Sequence, residues 1–552
     1  MIKEAFLKYK FLFLAVLISG LSVWSLVSYG IPPTHDGEYH VMRFEQFFKS
    51  INEGTLYPRW AQDFNNGYGI PLFNYVYPLP NYVASFTHLL GFSFIDSLKL
   101  NMILATIVGS IFFYLWTKKF WGEWGAVVSA VFYAYSPYHL LDIYVRGSVG
   151  EVWSLGLAPM LLWGYQSYFD SKKIKYFVFS SCSIALIVLA HNILAVVFFT
   201  FFLSYAFFLS FAKKQDARNK LKEFSSAIFI SVLGTGLSAI FWLPAILETK
   251  YVRGLQIFDP TQHFPVVYKL IYSSWGYGFS GVNVPDQMSF QIGIANILVV
   301  MICLLIFIFK KRNNMIGYFL FIFIFAVFLI TPFSEFTWKN VPFIPYVQFP
   351  WRLLSVVILT SSFLAGFIVS QNLIKNEKVR IIISILLIVL SIGFSLDYIK
   401  APFHHLRDDQ YYLKRENFTN GTNSPGNVFN TLNFNAKLTP AKERVKADGF
   451  KISPISSSVT KEKFILKGDR DGEILINIAH FPGWTVKIDG VPVPLTVTKE
   501  GIFKARVPEG EHIIEVVLKS TRLQTISLVM TVFSALILFC LFMWDKYIKI
   551  KK

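Results

Sequence analysis

Residues 1–45 read MIKEAFLKYK FLFLAVLISG LSVWSLVSYG IPPTHDGEYH VMRFE, and this stretch carries the logic of the whole chain. Lys3, Lys8 and Lys10 precede an apolar run, Phe11–Tyr29, and a dense polar cluster, His35 to Glu45, follows it. At 1.5 Å of rise per residue the run is long enough to cross ~30 Å of hydrocarbon. The positive-inside rule puts the lysines in the cytoplasm and therefore the polar cluster on the outer face. The run is too long for a cleaved signal, and Ile31-Pro-Pro-Thr-His is not a small-residue cleavage site, so the segment reads as a retained anchor.

The same alternation recurs along the chain. Further apolar runs begin near Asn101, Trp121, Val152, Lys175, Ile193, Phe224, Gln291, Met315, Trp351, Val379 and Leu523. Basic clusters fall at alternate ends of them: Lys118/Lys119, Lys172/Lys173/Lys175, Lys213 to Lys222, Lys310 to Arg312, Lys375/Lys378/Arg380 and Lys546 to Lys552. With every cluster cytoplasmic, the expectation is a polytopic α-helical membrane protein of about 12 transmembrane helices with both termini inside. Leu79–Phe94 is apolar enough to be counted as a span, but counting it would reverse every later loop. It also carries Pro80, Asn81 and His88, so it reads as an interfacial or re-entrant helix on the outer side.

Composition agrees. The chain is 54% hydrophobic and 18% aromatic with only 16% charged residues, which excludes a soluble domain of this length. The net charge of +18 does not point to nucleic acid, because most of it lies in loops that set topology and meet anionic lipid. Cys182, Cys303 and Cys540 all lie in apolar runs, which excludes a disulfide framework. No phosphate-cradling glycine loop, HExxH, CxxC or nucleophile elbow occurs, which argues against an ATP-driven pump.

Three regions follow from the pattern. Residues 1–400 form the transmembrane bundle, with a large first outer loop over 31–100. Residues 401–521 form an extracytoplasmic, mainly-β domain, and 522–552 are a final helix with a basic cytoplasmic tail. Within 401–521, the Asn417–Asn435 stretch is polar and irregular. Lys461–Lys467, Glu473–Ile478, Trp484–Ile488, Ile502–Val507 and His512–Lys519 then carry strand patterns. Asp489-Gly490 is a strong hairpin signal, and a small β-sandwich-like unit is expected.

The chemistry candidates sit on the outer loops. In Thr34-His35-Asp36-Gly37-Glu38-Tyr39-His40, Pro32-Pro33 and the carboxylates signal a helix start, which places Asp36, His40 and Arg43 on one face. Asp36 then serves as general base or, with His40, as metal ligand, or else it only stabilises the helix N-terminus. Arg146 and Glu151 mark the second outer segment, Ser136–Glu151, as a used charge pair or as a plain ion pair closing the loop. Arg352, in Gln348-Phe-Pro-Trp-Arg352, either snorkels to the headgroups or offers a planar fork to a lipid-linked phosphate. Arg253, after Glu248 and Lys250, has the same two readings. His191-Asn192 reads as a tight turn with a structural histidine.

Taken together, His35-Asp36-Gly37-x-x-His40, Tyr57-Pro-Arg59-Trp60, Tyr144-x-Arg146-Gly-x-x-x-Glu151, Gln348-Phe-Pro-Trp-Arg352 and Phe481-Pro-Gly-Trp484 resemble a family. It is that of bacterial membrane proteins labelled 6-pyruvoyl-tetrahydropterin synthase-related, with the related YfhO-like proteins. The layout resembles the GT-C superfamily of membrane glycosyltransferases. Nothing in the sequence offers the soluble metal site of a pterin enzyme. The resemblance implies a protein of the bacterial plasma membrane and cell envelope. It would transfer a sugar from a polyprenyl-phosphate donor to a glycan, lipid or protein acceptor on the outer face. Asp36 matches the family's acidic residue, as base or metal ligand, with Glu38 giving an Asp-x-Glu pattern in place of the usual metal-binding aspartate pair. Arg352, Arg253 and Arg146 are then the candidates for the donor phosphate, with His40, Arg43, Arg59 and Glu151 in support. Asp36 and His40 are the candidate ligands should a divalent cation be the cofactor. The alternative from another class is a non-enzymatic flippase or scaffold for lipid-linked glycans. It would place its polar site near mid-membrane, whereas here the charges gather at the outer rim.

Overall fold

The computed structural model describes residues 2–254, 259–281, 284–310, 313–414, 428–435, 437–441 and 443–551. Every one of the apolar runs is helical. In chain order the helices are α1 (Ile2–Gly20), α2 (Gly37–Asn52), α3 (Leu79–Leu89), α4 (Phe94–Ala134), α5 (Pro137–Leu141), α6 (Val149–Ser171), α7 (Ile174–Ala190) and α8 (Asn192–Ala212). They continue with α9 (Ala217–Leu237), α10 (Ala239–Leu247), α11 (Ile294–Phe309), α12 (Asn314–Ile330), α13 (Glu335–Asn340), α14 (Leu354–Ile368), α15 (Glu377–Gly393), α16 (Asp409–Leu413) and α17 (Arg522–Lys551). By length and composition, 5 helical stretches among the described residues suffice to cross a membrane, or 7 if α9–α10 and α12–α13, bent by 75° and 88°, each count as one span. Helix length alone therefore does not reach twelve.

Two of the expected runs share one helical stretch. α4 breaks at Gly122 (φ 75°, ψ −172°), a conformation open to glycine and closed to residues with a Cβ. Phe113 and Tyr133, which a continuous helix would hold about 30 Å apart, stack with ring centroids 4.5 Å apart. α4 is thus a helical hairpin, and its tip carries Lys118, paired with Glu123 at 2.6 Å. Lys119 reaches Asp170 at the end of α6 (3.1 Å), and Lys172 reaches Glu223 on α9 (2.8 Å). The Lys118/Lys119, Lys172 and Lys213 clusters so gather at one end of these helices, and the turns that carry Glu151 and His191 lie at the opposite helix ends.

α14 sits at the centre. Its apolar window, Pro350–Ile368, is 94% buried, as expected of a helix that is hydrophobic all round. Small residues let its neighbours close in: a Cβ on Gly125 of α4 would meet the Gly366 carbonyl oxygen at 2.8 Å. Arg522–Tyr547 of α17 is only 17% buried and lies at the periphery. α3, with 11 residues, is too short to cross a bilayer. It packs on α2 and α4 with Phe86, Leu89 and Leu90 exposed, in keeping with the interfacial or re-entrant reading of Leu79–Phe94.

The C-terminal β unit is built from β1 (Val445–Ala447), β2 (Phe450–Ser457), β3 (Lys461–Gly468), β4 (Gly472–Ile476), β5 (Trp484–Ile488), β6 (Val491–Val493), β7 (Thr496–Val497), β8 (Phe503–Val507) and β9 (Gly510–Leu518). They form two sheets, ordered β1-β4-β8-β7 and β2-β3-β9-β5-β6, with antiparallel pairing throughout. Alternate residues of both, among them Phe464, Leu466, Ile474, Val486, Phe503 and Ile514, share one core, as in a sandwich. Asp489 (φ 49°) and Gly490 (φ 85°) make the β5–β6 turn with the paired positive φ of a two-residue hairpin. Residues 415–427, most of the polar Asn417–Asn435 stretch, lie outside the described residues.

This unit is docked on the first outer loop. Trp60 packs edge-on to Trp484 at 5.3 Å and lies 6.4 Å from Phe481, so Tyr57-Pro-Arg-Trp60 meets Phe481-Pro-Gly-Trp484. The Ala479 amide donates to the Tyr68 carbonyl (2.8 Å), and the Val459 amide donates to Glu53 Oε2 (2.7 Å). In a background without native cysteines, Glu509→Cys in the β unit should react with an impermeant thiol reagent in intact cells, and Asn219→Cys at the lysine end should react only after lysis. Labelling of Asn219→Cys alone in intact cells would invert the assigned faces.

Candidate functional site

Four segments meet at the end of the bundle opposite the lysines. The first is the turn before α2, the second is residues 138–151, the third is the α7–α8 turn, and the fourth is the approach to α14. Between α5 and α6 the backbone opens into a π-type turn over Asp142–Arg146, a departure from α geometry often found at functional sites. The turn closes on Gly147 (φ 63°).

At the centre is Glu151, with no solvent exposure. Arg146 grips it through both terminal nitrogens, Nη1 to Oε2 at 2.7 Å and Nη2 to Oε1 at 2.8 Å, in the bidentate geometry peculiar to guanidinium. Arg352 donates from Nε to the same Oε1 at 3.1 Å, and Tyr138 donates its hydroxyl to Oε2 at 3.0 Å. Arg146 Nη1 also donates to Asp142 Oδ1, and the guanidinium lies 4.5 Å over the Trp351 ring. Arg352 Nη1 donates to Gln348 Oε1 (2.6 Å) and to the Val347 carbonyl (3.1 Å). Gln348 adopts φ 66°, ψ −52°, a strained conformation for a residue with a side chain. Among the described residues, Arg352 Nη2 makes no hydrogen bond.

The two carboxylates share one guanidinium and are held differently. Burial pushes Asp142 well up, and the neighbouring Glu151 charge adds to this. Burial also pushes on Glu151, but Arg146 and Arg352 override it and hold the carboxyl below the ordinary range. Burial, the largest cause, takes His191 down to about 3 although Glu151 opposes it, so the ring is neutral. Its Nδ1 accepts from the Leu194 amide (3.2 Å), which leaves the proton on Nε2, 3.7 Å from Glu151 Oε1.

Asp36 is hung on this cluster by its backbone. The Asp36 amide donates to the Arg146 carbonyl (2.9 Å), and the His35 amide donates to the Val145 carbonyl (3.0 Å). A Cβ on Gly147 would meet Thr34 Oγ1 at 2.3 Å and the Gly37 nitrogen at 3.0 Å, so glycine is what lets the two turns touch. Asp36 occupies the N-cap position of α2 but makes no capping bond; Thr34 Oγ1 accepts from the Gly37 amide instead, at 3.1 Å. Among the described residues the Asp36 carboxylate makes no hydrogen bond or ion pair. Asp36, Arg43, Glu151 and Arg146 all act on the Tyr77 phenol, which burial pushes up. His40, on α2 beside Tyr77, is held well below its ordinary value by burial and then by Arg43 and His191.

The other candidate residues lie elsewhere. Glu38 faces away and binds Arg407 and the Tyr412 hydroxyl (2.7 Å for the latter). Arg59 donates to Asn74 Oδ1 (2.7 Å) in a second network, where Glu248 accepts from Asn74, Thr521 and Gln524 at 2.9, 2.5 and 3.0 Å. Arg253 donates to the Phe434 carbonyl (3.0 Å) beside the β unit and, among the described residues, shares no partner with Arg352 or Arg146. Among the described residues no three His, Cys, Asp or Glu side chains gather to hold a metal ion. The sequence reading did not single out Tyr138, Asn74 or Gln524. The signal for them was a polar group at the edge of an apolar run.

Glu151→Ala would leave two buried guanidinium groups without their carboxylate, at a cost of about 3–5 kcal/mol. Glu38→Ala breaks a half-exposed pair, at a cost of under about 1 kcal/mol. Thermal unfolding in detergent should therefore separate the two variants widely, and equal losses would show that the Glu151 cluster is not what holds this rim together.

No curated protein matches the chain. Among solved structures, the arabinofuranosyltransferase AftD from Mycobacteria aligns with 71% of this chain and 27% of its own, at 14% identity and a TM-score of 0.45. The oligosaccharyltransferase AglB from Archaeoglobus fulgidus, solved with an inhibitory peptide and a dolichol-phosphate, aligns with 71% of this chain and 56% of its own, at 13% identity and a TM-score of 0.43. The chain thus spans about a quarter of the one and just over half of the other. The profile of the 6-pyruvoyl-tetrahydropterin synthase related domain, described as a membrane protein, matches residues 73–399. That stretch takes in Arg146, Glu151, His191 and Arg352, and the chain belongs to this family of membrane proteins.

Proposed function

We propose that this protein is a membrane glycosyltransferase of GT-C type, with twelve spans and both termini in the cytoplasm of a bacterium. It transfers a sugar from a polyprenyl-phosphate donor to an acceptor on the outer face, with Asp36 as the base. The observation that carries the reading is the unspent carboxylate of Asp36. An aspartate kept only to start a helix would accept from the amides of its first turn, and here Thr34 does that work. Asp36 is instead fixed by its backbone against Arg146, with its carboxylate making no hydrogen bond among the described residues, beside the cluster of Arg146, Glu151 and Arg352.

In this reading the donor's phosphate rests against Arg352. Arg146 and Arg352 converge on the one carboxylate of Glu151, and two guanidinium groups side by side suit a phosphate. Arg352 Nη2 has its two N–H groups to offer. Asp36 accepts the proton of the acceptor hydroxyl as its oxygen attacks the anomeric carbon, and the bond to the phosphate oxygen breaks with its electron pair going to the phosphate. No step is assigned to a metal ion. Glu38, bound to Arg407 and Tyr412, shapes the approach to Asp36. Arg253 and Arg59 hold the β unit and the first loop in place, where they can cover the acceptor. The site lies at helix ends, which favours transfer over transport.

Lipid analysis of a deletion strain should show an accumulated polyprenyl-phosphate sugar that the parent gene clears. Asp36→Asn should fail to clear it, with activity down ~10²–10⁴-fold at normal expression; activity within a few-fold of the parent would remove Asp36 as the base. Arg352→Lys should raise the donor KM about tenfold, because an ammonium cannot offer the planar fork. Gln348→Ala, which removes only an internal partner of Arg352, should leave KM within a few-fold. A lysine variant with the parent's KM would leave Arg352 a structural partner of Glu151 alone.

A further inference from the structure

At the lysine end, far from the site just described, a groove of about 880 Å³ opens between α7, α9 and α17. Its volume falls within the ~300–1,000 Å³ of small-molecule sites. The lower wall is apolar, with Phe177 of α7, Val232 and Leu233 of α9, and Ile537 and Leu541 of α17. The upper rim is polar, with Lys172, Lys222, Gln215 and Asn219. Along α9 the distance from Lys222 to Leu233 is about 16 Å of helix axis, so one ligand with a charged head and an apolar tail matches the whole groove. Val232 and Phe229 are 60% and 63% exposed, so the groove opens sideways towards the bilayer.

The rim is not neutral. Glu223 accepts from Lys172 (2.8 Å) and Gln215 (2.9 Å), and Lys213 approaches it at 3.8 Å. One carboxylate therefore faces two lysines, and Lys222, exposed and with no partner among the described residues, adds a third positive charge at the mouth. Basic pockets between helices at this end of a membrane protein bind anionic headgroups.

We propose that this groove binds an anionic phospholipid, its phosphate against Lys222 and Lys172 and an acyl chain along Val232, Leu233 and Ile537. The lipid fills the gap between α17 and the α7–α9 pair, and so seats the peripheral last helix that carries the β unit. This inference is independent of the transfer reaction.

Full-length protein is delipidated in detergent and titrated with phosphatidylglycerol or phosphatidylcholine of matched chains, and retained lipid is counted by native mass spectrometry. One phosphatidylglycerol should be held at least about fivefold more tightly than phosphatidylcholine. Lys222→Glu should weaken it about tenfold, with Lys222→Gln between that and the parent. Val232→Trp, which fills the groove, should weaken both lipids. Equal retention of the two lipids by the parent, or parent-like phosphatidylglycerol binding in Lys222→Glu, would overturn the proposal and leave a groove that takes any acyl chain. Lys222 lies outside the outer rim, so clearance of the donor by Lys222→Glu in cells stays at the parent's level, and the two proposals can fail separately.

Discussion

Glu151 has no exposure, and two arginines, Arg146 and Arg352, are 7% and 6% exposed around it. Burying such a set is costly, and mutual attraction offsets the cost only when the geometry is good and the remaining donors and acceptors are satisfied. Here the bidentate grip of Arg146, the third bond from Arg352 and the Tyr138 hydroxyl fill the carboxylate's capacity. Removing any one member exposes the others to the full penalty. The cluster therefore fixes the mutual positions of α6, the 142–146 turn and the entry to α14 more sharply than apolar packing could. Asp36 inherits that precision, because its amide hangs from the carbonyl of Arg146 itself.

The rest of the molecule is arranged around two unlike ends. At the lysine end the contacts are exposed or half-exposed ion pairs, such as Lys119–Asp170 and Lys172–Glu223, each worth little. At the other end the charges are buried, shared and backed by aromatic rings. The β unit is anchored there twice. Trp60 inserts beside Trp484 and Phe481, and Glu248 ties Asn74 of the first loop to Thr521 and Gln524 at the root of α17. A domain late in the chain is in this way seated on a loop near its start.

What the amino-acid order determined by itself is whatever rests on local pattern. Apolar runs of membrane length must bury their backbone polar groups in helices, and each run is a helix. The alternation of lysine clusters foretold that these clusters would meet at one end, as Lys119, Lys172 and Lys213 do. Asp489-Gly490 foretold its hairpin, because only such residues accept positive φ at both turn positions. Three strands were missed: β1 and β7 are three and two residues long, and β2 is largely exposed, so none shows a clear period.

Tertiary structure alone decided which charges work together. Arg146 and Glu151 are near neighbours in the chain, and a local pair was legible; that Arg352, some two hundred residues on, shares the same oxygen was not. Glu38 and Arg253 looked equivalent to Asp36 and Arg352 by position, yet Glu38 turns to Arg407, and Arg253 turns to the Phe434 carbonyl. Gly122 folds the two runs near Asn101 and Trp121 into one helical hairpin, and the contact between its arms was not legible in either run. Sequence period reports which face of a segment is apolar, whereas the partner of a buried charge is set by contacts between segments distant in the chain, where the cost of an unpaired ion selects one arrangement.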